Sequence, residues 1–169
     1  KLHDIPNTVA GGIRAVMDLA PTYITIHASG GREMMKAAVE EAGAQARKLG
    51  IERPKLLGVT VLTSLDRGDL EATGVPSDPS DQVVRLAALA QESGLDGVIC
   101  SPLEIEALRR RCGRDFVLMV PGIRPVGAAA NDQKRAMTPH EAVALGATHL
   151  VVGRPIYKAD DPRAAAEAS

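Results

Sequence analysis

The feature that most constrains this chain is a strict alternation of short apolar runs and longer helical stretches, at intervals of roughly 30 residues. Tyr23–His27, Leu56–Leu62, Gly97–Cys100, Phe116–Val120 and His149–Val152 read as strands. The intervening stretches Met34–Leu49, Ser80–Glu92, Pro102–Arg111 and Pro139–Leu145 read as helices, and Asp160–Ala168 follows the last strand. Val9–Leu19 precedes the first strand with Val9, Ile13, Val16 and Met17 on one helical face; Asn7 or Thr8 is its expected N-cap. Gly50 stands where the longest helix needs a left-handed C-cap.

Strands separated by helices pair in parallel through right-handed crossovers, which restricts the chain to α/β architectures. Leu56–Leu62 is apolar on both faces, as a sheet covered on each side requires. No G-x-G-x-x-G or P-loop sequence follows any strand, so an open nucleotide-binding sheet has no support. The expectation is a (β/α)8 TIM barrel of which roughly the C-terminal five to six βα units are present. Five strands are visible, and the helix after residue 5 implies a sixth ending at Lys1. A whole barrel needs about 200 residues or more. Residues 1–169 are therefore expected to be a single domain, the C-terminal portion of a barrel, with strands 1–3 wanting.

Composition removes several function classes. A net charge of −1 argues against a general nucleic-acid or membrane surface, where a basic excess is needed. Tyr23, Phe116 and Tyr157 are the whole complement of Phe, Tyr and Trp, too few to form a stacking platform for single strands. No apolar run approaches the ~20 residues of a membrane span. Cys100 and Cys112 have no metal-ligand spacing, and no pair of the four histidines sits one helical turn apart. The simplest reading is a reduced cytoplasmic protein that uses no cofactor and no metal.

The chemistry-bearing residues cluster at expected strand ends, where barrel enzymes keep their sites. Lys1 and Asp4 lie three residues apart ahead of a proline turn, and can meet at the mouth of one pocket. Pro121-Gly122-Ile123-Arg124 follows one late strand and Gly153-Arg154-Pro155-Ile156 the next. Loops after the last two barrel strands commonly cradle phosphate, and arginine adds a forked, charge-assisted clamp. Gln133, in the long loop between them, can add a donor to the anion. Thr60 to Ser64 ends a strand in hydroxyls that suit a small polar ring, or equally a turn. His27, also at a strand end, can touch ligand or, the better expectation, satisfy a neighbouring loop; His3 is expected to point into the barrel wall or the neighbouring loop, and Met34-Met35 to pack.

Lys1-Leu2-His3-Asp4-Ile5-Pro6-Asn7-Thr8, Thr60–Ser64, Pro121–Arg124, Asp132–Arg135 and Val152–Ile156 occur in an order and spacing that resemble orotidine 5′-phosphate decarboxylases. The Gly94–Val98 turn fits the same family. The resemblance implies decarboxylation of orotidine 5′-monophosphate to UMP, without a cofactor. It makes Lys1 the proton donor to C6 and Asp4 its partner, reaching across a homodimer interface with Ile5 and Thr8. Thr63 would bond the pyrimidine and Pro121 would line its pocket. Arg124, Gln133, Gly153 and Arg154 would hold the phosphate under a closing lid. The family's first lysine and first aspartate have no counterpart in this chain, so alone it is expected to be inactive. The rivals are a metal-dependent sugar-phosphate decarboxylase or epimerase and a non-catalytic partial-barrel module.

Overall fold

The computed structural model describes residues 1–124 and 137–168. In chain order the elements are α1 (Pro6–Val16), β1 (Tyr23–His27), α2 (Arg32–Leu49), β2 (Lys55–Val59), α3 (Arg67–Ala72), α4 (Pro79–Glu92) and β3 (Gly97–Ile99). These are followed by α5 (Ile105–Cys112), β4 (Val117–Val120), α6 (Pro139–Leu145), β5 (His149–Leu150), α7 (Arg154–Tyr157) and α8 (Pro162–Glu167). The five strands form one parallel sheet in the order β1-β2-β3-β4-β5. The expected sixth strand survives as a single parallel bridge, Leu2 to Ile26 on β1. Among the described residues no helix is long and apolar enough to cross a membrane.

The chain divides into two compact units. The first comprises Lys1–Thr60 and Arg85–Val98. Its β1–β2 register runs from Tyr23 opposite Lys55 to His27 opposite Val59. Helix α2 buries Met34, Met35, Ala38, Ala42 and Ala46, a stripe repeating at the helical period. The two methionines are almost fully buried, each removal from water stabilising by about 1.5–3 kcal/mol. Small residues in the rest of the stripe allow α1 to approach, and Arg14 on α1 bonds Glu41 on α2 at 2.7 Å. The Arg14 hydrogen bond, then one from Gln45, holds the Glu41 carboxyl below its usual range. Asp96 anchors the start of β2: its carboxylate accepts from Leu56 N–H at 2.8 Å and from Arg53 at 2.5 Å.

The second unit comprises Val61–Val84 and Ile99–Ser169. Here β4 pairs β5 with Met119 opposite His149 and Val120 opposite Leu150. Arg109 knits it together. Its guanidinium donates to the carbonyls of Gly113, Arg114, Phe116 and Gly146 and to the Thr148 hydroxyl, at 2.6–3.1 Å. One side chain thus satisfies the ends of α5 and α6 and the entry to β5, a use of arginine at helix C-termini.

Several boundaries differ from the sequence expectation. The first helix starts at Pro6, not after Asn7 or Thr8, and its N-cap Ile5 supplies no side-chain bond. Proline at the first position needs no partner for its missing N–H, so no capping side chain is required. Strand β2 ends at Val59 because the chain then bends into a turn closed by Leu65 N–H to the Leu62 carbonyl. Pro102–Glu104 is a 3-10 turn capped by Ser101, and the α-helix proper begins at Ile105. Two short helices were not expected. α3 is started by a reciprocal capping box between Asp66 and Asp69, and α7 by Gly153 ahead of Arg154-Pro155. The last helix begins at Pro162 because Asp161 caps it, accepting from the N–H groups of Arg163 and Ala164.

Candidate active site

In the first unit the site begins where Leu2 is locked to β1. Leu2 N–H donates to Thr25 at 3.1 Å and His27 N–H donates to Leu2 at 2.9 Å. The Leu2 side chain lies against Gly12 of α1, where a Cβ would come 3.0 Å from its methyl carbon, so any larger residue there would require Leu2 to shift. With Leu2 opposite Ile26, the next residues in register are His3 and His27. Their imidazoles stack, with centroids 5.1 Å apart and planes inclined by 22°. His27 therefore meets the segment containing Lys1 and Asp4.

Lys1, Asp4, Ile5 and Thr8 are all exposed. Asp4 accepts the Ile5 N–H at 2.7 Å, which turns its carboxylate to the head of α1. Among the described residues Lys1 and Asp4 form no ion pair with each other. His3, Asp4, Ile5, Pro6, Ser29 and Gly30 line an open depression of about 490 Å³. Burial, then His3 and the positive groups of Lys1, hold the His27 imidazole below its ordinary pKa of 6.5.

In the second unit, the pairing of β4 with β5 brings Pro121–Arg124 and Gly153-Arg154 to the same end of adjacent parallel strands. Pro121 is half-buried. Ile123 bridges Met137 in parallel, and Arg124 N–H donates to the Met137 carbonyl at 2.9 Å. Residues 125–136, between these two contacts, lie outside the described residues, Gln133 among them. Arg124 is 9% exposed; its Nη1 donates to the Ile123 carbonyl at 2.7 Å, while its buried Nε has no partner among the described residues. A buried guanidinium N–H is costly unless something accepts from it, and an anion would. Gly153 caps α7, its carbonyl accepting from Ile156 at 2.8 Å and Tyr157 at 3.2 Å, and half-buried Arg154 opens that helix. Thr63 is half-buried in the turn after β2.

The chain matches known proteins along its whole length. The family model of orotidine 5′-phosphate decarboxylase / HUMPS covers residues 1–169. The chain belongs to this family. Orotidine 5′-phosphate decarboxylase of Rhodospirillum rubrum is 57% identical over 166 residues, 98% of this chain and 67% of that protein. The enzyme of Paramagnetospirillum magneticum is 56% identical, covering 98% of this chain and 71% of that protein. Among solved structures, the decarboxylase from Lactobacillus acidophilus aligns at a TM-score of 0.86 with 44% identity, over 99% of this chain and 70% of that one. The Pyrococcus horikoshii decarboxylase aligns at 0.70 with 29% identity, over 99% and 68%. The orotidine 5′-phosphate decarboxylase fold is a TIM barrel, and this parallel α/β chain corresponds to about 70% of one.

Sequence reasoning missed the His3–His27 pair. His27 was visible at a strand end and His3 within the opening motif, but their meeting depends on the register of Leu2 against Ile26. It also missed Arg109, whose signal was a basic run in the last turn of a helix. The capping box at Asp66 and Asp69 was legible as an acidic pair three residues apart.

Proposed function

We propose that Lys1 stands at the reacting carbon in the decarboxylation of orotidine 5′-monophosphate to UMP, the reaction of this family in pyrimidine biosynthesis. The observation that carries this reading is the family match over residues 1–169, with the Lys1-to-Asp4 segment held at a strand end. The C6–carboxylate bond breaks to release CO2, and the electron pair stays on C6. No π-system accepts that charge in plane, so a fixed cation must stabilise it. The Lys1 ammonium supplies the cation and then delivers its proton to C6. Asp4 keeps that cation oriented, and with Ile5 and Thr8 it serves a second copy in a homodimer with shared sites. The exposure of Asp4, Ile5 and Thr8 supports that role.

Thr63 bonds the pyrimidine and Pro121 lines its pocket. Arg124, Gln133, Gly153 and Arg154 bind the phosphate; the buried Nε of Arg124, without a partner among the described residues, supports an anion there. Binding energy from that remote phosphate can be expressed at C6 by closing the segment between Arg124 and Met137 over the substrate. The reaction uses no cofactor, the enzyme is cytoplasmic, and residues 1–169 act as a single domain, the C-terminal portion of a TIM barrel.

The test is loss of the ultraviolet absorbance of orotidine 5′-monophosphate on addition of the full-length protein, and of Lys1→Ala beside it. Turnover that disappears with Lys1→Ala supports the assignment. Turnover unchanged by Lys1→Ala removes Lys1 from the chemistry. No turnover, with sugar phosphates consumed instead, moves the protein to a different reaction within barrel enzymes.

A further inference from the structure

The mechanism above asks Lys1 to stand at a fixed point, yet Lys1 is exposed and has no ion pair with Asp4. In the reading above Asp4 orients the ammonium across the dimer, and the direction of the backbone that carries Lys1 is set within the chain. Its neighbours are held in three ways. Leu2 is bonded on both sides of its peptide to β1 and wedged against Gly12. Asp4 is turned down onto the Ile5 N–H. Between them, His3 is stacked on His27 and comes close to Gly30, where a Cβ would lie 3.3 Å from the His3 ring and 2.1 Å from the Met34 sulfur.

In an extended segment residues two apart share a face, so Lys1 and His3 project from the same side of the Leu2 backbone. Fixing the ring of His3 therefore fixes the twist of the segment and the face on which Lys1 stands. We propose that the His3–His27 imidazole stack is the positioning element of the catalytic strand end, aligning Lys1 with the reacting carbon without touching substrate. This rests on the assignment of Lys1 above. Neither histidine transfers a proton in this role; a flat ring in van der Waals contact is all the geometry uses. His27, held neutral by its surroundings at pH 7, can stack on His3 without repelling it. The flat ring at position 27 projects from the end of β1, whose Ile26 is fully buried, so the platform itself is rigid.

The experiment is steady-state decarboxylation of orotidine 5′-monophosphate by the full-length protein carrying His3→Ala, His3→Phe or His27→Phe, with unfolding midpoints measured on each. A misplacement of about 1 Å can cost about 100-fold in rate, so His3→Ala is expected to lower kcat by roughly 10- to 100-fold with KM within about threefold. His3→Phe keeps a flat ring and is expected to recover kcat to within about threefold of the parent. Unchanged kcat in His3→Ala, a loss confined to KM, or a His3→Phe as impaired as His3→Ala would each overturn the proposal. If His3→Ala does not fold, the two phenylalanine variants decide: kcat near the parent supports the stack, and a fall below about a tenth overturns it. Lys1→Ala is measured alongside. Parental kcat there would sink the assignment of Lys1 on its own, whatever the histidine variants do.

Discussion

The strand end with Lys1 and the strand ends with Arg124 and Arg154 are built in different ways. The first is held from every side: Leu2 is bonded to β1 and seated on Gly12, and His3 rests on His27. The helix behind it, α1, buries Val9 and Ile13, and α2 beyond buries five residues. The second follows short strands; β5 spans two residues, and α7 and α8 bury none. Beside the buried Leu118, Val120 and Ile123, its order draws on polar contacts, the Ile123–Met137 bridge, the Gly153 cap and the Arg109 hub. The role proposed for Lys1, acting on one carbon, calls for a packed support, because small displacements are expensive in rate. The phosphate proposed at the arginines would be bound by several donors that adapt around it.

The comparison can be broken or sharpened by experiment. The largest effect expected is that of Lys1→Ala, which should lower kcat on the order of 1,000-fold or more, because it removes both the cation and the proton. Calorimetric titration with UMP should show much less change in product affinity. Arg154→Ala should lower kcat/KM for orotidine 5′-monophosphate by roughly 100-fold yet leave turnover of phosphate-free orotidine unaltered. Equal damage to both substrates would mean that Arg154 supports structure and not phosphate.

Arg109→Leu tests the polar half directly. It leaves the carbonyls of Gly113, Arg114, Phe116 and Gly146 without this donor, and the expected cost is about 2–4 kcal/mol of unfolding free energy in urea. A change under about 0.5 kcal/mol would show that water replaces the guanidinium there.

The smallest effect concerns His27. Its folded pKa is depressed, so the unfolded chain takes up a proton that the folded chain resists. The neutral ring costs nothing above the ordinary value of 6.5, and stability is lost as the pH falls from there toward the lower folded value. The thermal midpoint should decline through that window, and the decline should be shallower in His27→Phe. Identical slopes in parent and variant would place the responsible titration elsewhere.

Much of this was legible in the sequence because it depends on local pattern. The alternation of strands and helices followed from periodicity, the left-handed cap at Gly50 from the freedom of glycine, and the burial of Met34 and Met35 from spacing. The motifs at Lys1–Thr8, Pro121–Arg124 and Val152–Ile156 were likewise visible, and with them the family. Short helices such as α3 and α7 were not, because four to six residues carry too little periodicity to register. Their caps were the only signal.

What the tertiary structure alone decided are the meetings between residues far apart in the chain. Parallel pairing of Leu2 with Ile26 put His3 beside His27, and nothing in either motif specifies that register. Arg109 found the carbonyl of Gly146, 37 residues away, because the ends of α5 and α6 are brought together by the strands they flank. Local sequence sets which backbone conformations are cheap. Which side chains then share a contact depends on strand register and crossover packing, and those follow from burying the whole apolar surface at once.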